Sequence, residues 1–311
     1  MINDFPNYFR LNSSVAEALK ANQPVVALET TVITHGLPYP QNLQLAHEIE
    51  EEVKHFGSVP ATIGILEGQI RCGLTEDEIH ALATHPSVAK VSLRDIARLV
   101  VEKGWGGTTV AATMWAAHQV GIRVFSTGGI GGVHRYTEWL RHSDVSADIQ
   151  ALAEIPVVVV CSGAKAILDL PATLEALETR SIPVVGYQTK YFPAFYSVGS
   201  KNLEVSMVAN QPQEIAEFAQ THWELGFRSA VLVAVPPPEA DAIPFEQMEA
   251  YIQIAVQEAE RQGIHGQSVT PFLLRRLSEL SEGKSVQTNL SLLKNNARIA
   301  AQIALTFSLN H

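Results

Sequence analysis

The sequence predicts an α/β protein with three layers, α/β/α, a mostly parallel central sheet and a small β-hairpin excursion. Strand-length apolar segments alternate along the chain with amphipathic helical segments, which is typical of this fold class. Several strands, such as residues 156–161 and 229–235, lack polar alternation, as expected when helices cover both faces of a parallel sheet. Residues 61–66 and 69–72 flank Glu67-Gly68, a turn pair that predicts the hairpin.

The individual elements follow from apolar spacing and from capping residues. Predicted strands cover residues 24–29, 61–66, 69–72, 89–92, 122–126, 156–161, 183–187 and 229–235. Predicted helices cover residues 41–55, 108–120, 146–153, 165–179, 213–225, 245–262 and 271–309, the last one broken at Glu282-Gly283. A further helix begins after Thr75, an N-cap residue followed by acidic residues. Because no linker or repeat separates these elements, we expect a single domain over residues 1–311.

The composition excludes several classes of protein. Only 17% of the 311 residues are charged and 46% are hydrophobic, which excludes a disordered chain. A net charge of −10 and only nine lysines leave no basic stripe, so we expect no nucleic-acid partner. No apolar run approaches the roughly 20 residues that cross a bilayer, so we expect no membrane association. The two cysteines and the lack of a signal-peptide pattern predict a cytoplasmic protein, and the low charge predicts an oligomer.

Charged residues at the ends of predicted strands are the candidate catalytic groups. Glu29 closes the first apolar strand, where burial would raise the pKa of its carboxyl group and prepare it for general acid catalysis. Lys90 and Lys165 lie at the ends of other strands, and a lysine in an apolar pocket can form a Schiff base with an aldehyde. Lys90 could instead hold a phosphate. The structural alternative is a solvent-facing glutamate and two lysines whose amines reach water.

Two glycine clusters and one acidic segment are candidate ligand-binding elements. Residues 104–109 lead into a helix and residues 127–132 follow a strand. Neither cluster matches a nucleotide-binding motif, so each is interpreted as a phosphate or sugar loop or as a tight turn. Asp144 and Asp148 are about one helical turn apart, a spacing that suits either a hard divalent cation or the capping of a helix.

Ser162-Gly-Ala-Lys165 matches the S-x-x-K pattern of serine acyl-transfer enzymes. The companion motifs S-D-N and K-T-G are missing from the sequence, so acyl transfer through Ser162 and Lys165 is kept only as an alternative. A non-catalytic phosphosugar-binding protein is a further alternative, and it gives no role to Glu29 beside a lysine able to form an imine.

Many separate segments agree, in order, with one known family. They are residues 24–42, 59–63, 90–95, 108–114, 125–135, 144–148, 160–169, 186–190, 270–274 and 289–296. In these segments the chain resembles the pseudouridine-5′-phosphate glycosidases, and the resemblance extends from about residue 13 to residue 305. The kinase domain that accompanies this family in some longer proteins is absent from this sequence.

The resemblance implies an α/β/α enzyme that reversibly cleaves pseudouridine 5′-phosphate to ribose 5-phosphate and uracil. The bond broken is the C–C bond between uracil C5 and ribose C1′. By matched position, Glu29 would be the proton donor, and Lys165 the nucleophile that forms an imine with the ring-opened ribose. The resemblance also implies a homotrimer with one Mn²⁺ ion, or another divalent cation, held in each subunit by Asp144. The implied substrate-binding residues are Lys90, Val110, Thr127, Ser146, Ala147, Asp148 and Asn289.

The implied chemistry agrees with the candidate residues. Ordinary glycosidases use two carboxylates and expel a good oxygen leaving group. A carbon leaving group is much worse, and an imine at C1′ supplies the electron sink that its departure needs. The chain departs from the family between Arg135 and Asp144, where residues 136–143 form a longer segment than usual. The choice between Asp144 and Asp148 as the direct metal ligand is therefore left open.

Overall fold

The computed structural model describes residues 7–135, 144–199, 202–264 and 269–309. Its strands are β1 (Phe9–Leu11), β2 (Val25–Leu28), β3 (Val59–Leu66), β4 (Gln69–Cys72), β5 (Ala89–Val91), β6 (Gly106–Thr108), β7 (Val124–Ser126), β8 (Val133–His134), β9 (Val158–Cys161), β10 (Leu168–Asp169), β11 (Val184–Tyr187), β12 (Met207–Ala209) and β13 (Val231–Ala234). Its α-helices are α1 (Ser13–Lys20), α2 (Gln41–His55), α3 (Glu76–Thr84), α4 (Ile96–Glu102), α5 (Val110–Gln119), α6 (Ala147–Glu154), α7 (Leu170–Thr179), α8 (Pro212–Glu224), α9 (Phe245–Arg261), α10 (Val269–Leu280) and α11 (Lys284–Leu309). A π-helical segment covers Val32–Gly36 and a 3₁₀ turn covers Leu93–Asp95.

Within the described residues, eleven strands form one mixed sheet. The main path runs β1-β4-β3-β2-β7-β9-β13-β11-β12, and β5 and β6 join it beside β3. From β3 to β12, neighbouring strands on this path are parallel. Strands β4 and β6 run antiparallel to β3, and β8 pairs with β10 outside the sheet. The predicted fold class, a mostly parallel sheet with a small hairpin, is confirmed.

Helices cover both faces of this sheet. On one face α11 packs on β2, β7 and β9 and contacts α2 and α8. On the other face α5 packs on β2, β3 and β7 and contacts α6, which contacts α7. The connections β2–α2–β3 and β7–α6–β9 progress in opposite directions along the sheet. Because crossovers between parallel strands are right-handed, these connections place their helices on opposite faces. The four residues of β9 are each 0% exposed, as its unbroken apolar sequence predicts.

The helix predicted over residues 165–179 begins later than the sequence indicates. Asp169 is the N-cap of α7, and its side chain accepts a hydrogen bond from the Ala172 amide at 3.0 Å. The preceding residues pair as β10, so Lys165 lies in a loop rather than in a helix. Strands β1, β6, β8, β10 and β12 have only two or three residues each, too few to produce a visible period in the sequence.

Two predicted turns are confirmed by backbone angles in the left-handed region. Glu67 and Gly68 have φ angles of 51° and 73°, and a Cβ atom on Gly68 would lie 2.6 Å from the Val100 carbonyl oxygen. Glu282 and Gly283, at 52° and 81°, separate α10 from α11.

None of the described helices is long and apolar enough to cross a bilayer. The single domain over residues 1–311 stays a prediction.

Candidate active site

Glu29 directly follows β2, at the edge of the sheet where parallel strands end and ligands usually bind. Its carboxylate accepts a hydrogen bond from the hydroxyl group of Thr127, which follows the neighbouring strand β7. Burial raises the pKa of Glu29, while the positive charge of Lys165 and the Thr127 hydrogen bond act in the opposite direction. A cavity of about 20 Å³ beside this carboxyl group has mainly apolar walls. The raised pKa favours a protonated Glu29, as a general acid requires.

Lys165 lies in a tight loop after β9, the next strand along the sheet from β7. Its backbone amide donates to the Ile130 carbonyl at 3.1 Å, so the loop is paired with the glycine-rich loop after β7. Gly163 makes the turn possible: its φ angle is +77°, and a Cβ atom there would lie 2.1 Å from the Pro193 carbonyl oxygen. The loop therefore presents Lys165 at the same sheet edge as Glu29.

Arg135 fixes the other side of the Lys165 loop. Its guanidinium group donates to the Ala166 and Leu168 carbonyl oxygens at 3.0 and 3.1 Å. The same group forms a two-pronged ion pair with Glu249 of α9, at 2.5 and 2.9 Å. Paired guanidinium and carboxylate groups give strong and directional contacts. The backbone on either side of Lys165 is thus held by hydrogen bonds.

Asp148 joins the amino-terminal ends of two helices. Its buried carboxylate accepts from the Ala111 amide, in the first turn of α5, at 3.0 Å and from the Gly131 amide at 2.8 Å. Ser146 is the N-cap of α6 and accepts from the Asp148 amide at 3.2 Å. A Cβ atom on Gly131 would lie 2.3 Å from the Ser146 hydroxyl oxygen, so part of the glycine cluster serves close packing.

Lys90 belongs to the same group of ionisable residues, and part of its surface is exposed to solvent. Partial desolvation of its amine and the positive charge of Lys165 lower the pKa of Lys90, against the attraction of Asp148 and Glu29. Glu29 in turn interacts with Lys165, Asp148 and Lys90. The structure thus brings together four of the predicted residues from four separate parts of the chain. Two basic and two acidic side chains at one sheet edge form an environment that suits an anionic sugar and proton transfer.

The remaining predicted residues occupy different surroundings. Val110 begins α5 and is 2% exposed, whereas Ala147 begins α6 and is exposed. Asn289 is half-buried on α11, and no hydrogen bond between described residues joins it to any of these four ionisable residues. Asp144 faces solvent, and its backbone carbonyl accepts from the His134 amide at 2.9 Å. The longer segment 136–143 lies outside the described residues.

The structure gives no support to acyl transfer through Ser162. This serine is 0% exposed, and its hydroxyl group lies 3.3 Å from Oδ1 of Asn296 on α11. Among the described contacts, no hydrogen bond joins Ser162 to Lys165. A serine nucleophile needs an adjacent base and access for the substrate, and neither condition is met.

A larger cleft of about 690 Å³ lies further along the same sheet edge, at the ends of β11 and β13. Among the described residues that line it, none is a predicted site residue and none is a lysine. Its described lining residues are Glu52, Gln188, Thr189, Tyr191, Val198, Pro236, Pro237, Pro238, Glu239, Ser291, Asn295 and Arg298. The site is therefore assigned by its chemistry, not by cleft size, because the lysine and the carboxyl group of raised pKa lie elsewhere.

Sequence reasoning missed three residues that support the site: Arg135, Glu249 and Asn296. Asn296 carried a usable signal, since it interrupts the apolar face of α11 and is 0% exposed. The ion pair between Arg135 and Glu249 joins residues 114 positions apart. No spacing along the chain could have indicated that contact.

Comparison with known proteins identifies the family. Residues 14–306 match the family model described as indigoidine synthase A like protein. A pseudouridine-5′-phosphate glycosidase of Glaesserella parasuis is 46% identical over 301 residues, covering 97% of this chain and 99% of that protein. Another, of Geobacillus kaustophilus, is 48% identical over 307 residues, covering 99% and 100%.

Solved structures agree with this assignment. The prealnumycin C-glycosynthase AlnA, in complex with ribulose 5-phosphate, has a TM-score of 0.90 at 36% identity, covering 98% of each chain. An indigoidine synthase A-like protein from Thermotoga maritima has a TM-score of 0.87 at 34% identity, covering 99% of this chain and 100% of that one. The chain therefore belongs to the indigoidine synthase A-like family, as a member of its pseudouridine-5′-phosphate glycosidase group of enzymes.

Proposed function

We propose that this enzyme cleaves the C–C glycosidic bond of pseudouridine 5′-phosphate, reversibly giving ribose 5-phosphate and uracil. The names of relatives about half identical to the chain support this substrate. A complex of the related C-glycosynthase with ribulose 5-phosphate supports a five-carbon sugar phosphate as the ligand class. The observation that carries the chemistry is the placement of Glu29, hydrogen-bonded to Thr127 after β7, beside the loop that carries Lys165, whose backbone is bonded to the loop after β7. The positive charge of Lys165 acts on this glutamate.

In the first step Glu29 donates its proton to the ribose ring oxygen as the C1′–O4′ bond opens, and the uracil ring supplies the electron pair. The neutral amine of Lys165 then adds to C1′, and its excess proton passes to the Glu29 carboxylate. In the next step the nitrogen lone pair forms a C=N bond while the bond from C1′ to uracil C5 breaks. Glu29 protonates C5, and uracil departs. Water then adds to the protonated imine, which releases the aldehyde of ribose 5-phosphate and Lys165 as an ammonium ion, and the proton of that ion returns to the Glu29 carboxylate.

The 5′-phosphate would be held by Lys90 together with the amino-terminal ends of helices α5 and α6. Lys90 is a compact positive charge beside the reacting groups. Val110 begins α5, Ala147 begins α6 and Ser146 caps it, at helix ends where the dipole favours an anion. The carboxylate of Asp148 is occupied by two backbone amides, so we assign it to shaping this site. Thr127 would orient Glu29, and Asn289 would contact the base.

The proposed metal is Mn²⁺ or a similar divalent cation, held by Asp144. A solvent-facing carboxylate suits a hard cation that keeps most of its water ligands. Asp148 fits this role less well, because each of its oxygens already accepts a backbone hydrogen bond. When bound, the ion would supply positive charge that helps to organise an anionic substrate. Removal with a chelator followed by readdition of Mn²⁺ tests this role.

The decisive experiment measures uracil release from pseudouridine 5′-phosphate by chromatography. Borohydride added during turnover should reduce the imine and attach the ribose 5-phosphate carbon skeleton to Lys165, as located by peptide mass spectrometry. Lys165→Arg keeps the charge but forms no imine, and should lose both turnover and trapping. Lys54→Arg, at an exposed lysine paired with Glu51, is the matched control and should retain both. Full activity in Lys165→Arg would refute the mechanism, and binding without turnover would favour a phosphosugar-binding protein.

We further propose that the protein is a cytoplasmic homotrimer. The low charged fraction of 17% supports burial of surface between subunits. Cys72 and Cys161 are buried as free thiols, which suits a reducing compartment. Sedimentation equilibrium tests the assembly, and a mass equal to one chain of 33.9 kDa would refute it.

A further inference from the structure

Asn296 is a buried amide on α11 whose hydrogen bonds connect the two loops of the proposed site. Its side chain is 0% exposed, and Nδ2 donates to the Thr127 carbonyl oxygen at 2.9 Å and to the Ser162 hydroxyl oxygen at 3.2 Å. The Ser162 hydroxyl also lies within 3.3 Å of Oδ1. Burying an amide is costly unless its polar atoms are paired, and here both partners lie in the site loops.

Each partner is one short step from a reacting group. The hydroxyl group of Thr127 donates a hydrogen bond to Glu29, the proposed acid. Ser162 begins the turn that presents Lys165 three residues later, and its amide donates to the Gly128 carbonyl at 2.9 Å. One side chain therefore touches both the segment that orients the acid and the segment that carries the nucleophile.

We propose that Asn296 is a positioning residue that holds the Thr127 and Lys165 loops together so that Glu29 and Lys165 reach the same sugar carbon. This inference rests on the proposed function. It predicts that the loss of Asn296 lowers kcat more than it changes KM, because the phosphate and base contacts lie elsewhere. A small misplacement of reacting groups commonly reduces rates by about 100-fold.

Other hydrogen bonds of α11 provide matched controls. Ser58, just before β3, donates its hydroxyl group to the Ala301 carbonyl of α11 at 3.0 Å, at the opposite edge of the sheet from the site. Asn295 is half-buried and donates to the Pro236 carbonyl at 3.3 Å. Ser58→Ala and Asn295→Leu thus perturb the same helix without touching either site loop.

The test compares Asn296→Leu and Asn296→Asp with Ser58→Ala and Asn295→Leu in uracil release and in melting temperature. Asn296→Leu should reduce kcat by about 10- to 100-fold, leave KM within about threefold, and shift the pH limb set by Glu29 upward. Asn296→Asp should regain activity at low pH, where its protonated carboxyl group can donate to the Thr127 carbonyl. The two control variants should keep the parent kcat and pH profile at whatever melting temperature they show.

Two outcomes would overturn the inference. The first is a folded Asn296→Leu with unchanged kcat and pH profile. The second is that Ser58→Ala loses as much kcat as Asn296→Leu at the same decrease in melting temperature. If Asn296→Leu does not fold, Asn296→Asp carries the test, and a pH profile that overlays that of the parent refutes the role. If the unaltered protein releases no uracil, the proposed function fails first, which separates that failure from failure of Asn296 alone.

Discussion

Replacing Thr127 with valine removes the hydroxyl group that donates to Glu29 and keeps nearly the same side-chain volume. A hydrogen bond to an ionised carboxylate stabilises that charged form, so its loss should raise the Glu29 pKa further. Such a bond contributes about 1.5–3 kcal/mol, and about 1.4 kcal/mol corresponds to one pKa unit. Because Glu29 keeps some exposed surface, we expect the lower end of this range, a rise of about one unit.

The assay is the pH dependence of kcat/KM for uracil release. The limb of the profile that reports Glu29 should move to higher pH by about one unit in Thr127→Val, while the other limb stays in place. Thr127→Ser keeps the hydroxyl group and should follow the parent. Thr113→Val is the matched control, since Thr113 is 0% exposed and donates to Thr108 at 2.9 Å without contacting Glu29. A Thr127→Val profile that overlays the parent would refute the assigned hydrogen bond.

Three further predictions concern the stability of the site. Glu29→Gln should raise the melting temperature at pH 8 but not at pH 4, because a folded-state pKa above 4.5 makes ionised Glu29 destabilising as pH rises; an equal change at both pH values would contradict this. Glu249→Gln should lower the free energy of unfolding by about 1 kcal/mol in urea titration and reduce kcat, because Arg135 loses its partner beside the Lys165 loop; parent values for both would contradict it. Gly131→Ala should cost about 1–3 kcal/mol, measured in the same way, and a neutral result would show that Ser146 can move aside.

The sequence was sufficient to predict the fold class and the two proposed reacting groups, because both depend on local pattern. Apolar runs without alternation indicate buried parallel strands, and charged residues just after them must meet at one sheet edge. Glu29 and Lys165 became candidates in this way, and the family resemblance implied their roles. The hairpin and the break at Glu282-Gly283 were also predictable, because turn residues act within a few positions.

The sequence was insufficient where a contact depends on strand order. Thr127 and Glu29 are 98 residues apart and meet only because β7 lies beside β2. The position of Asp148 in the sequence indicates a capping acid. In the structure its carboxylate accepts hydrogen bonds from the backbone amides of Ala111 and Gly131, which lie in separate parts of the fold. The helix was predicted to begin at residue 165 because the residues from there onward have the same apolar spacing as the true helix. That helix begins at Leu170, after its Asp169 cap.

The position of β7 between β2 and β9 has a consequence for how the site can change. Neighbouring strands lie about 4.8 Å apart, so the strands that carry Glu29 and Lys165 are separated by roughly 10 Å of main chain. Backbone hydrogen bonds fix that width, and no single side-chain replacement can alter it. Glu29 directly follows β2, whereas Lys165 lies four residues beyond β9 in a loop that is bonded to the loop after β7, so the two side chains start from opposite sides of β7. The order of these three strands therefore limits the spacing of the two reacting groups and the size of the sugar that fits between them.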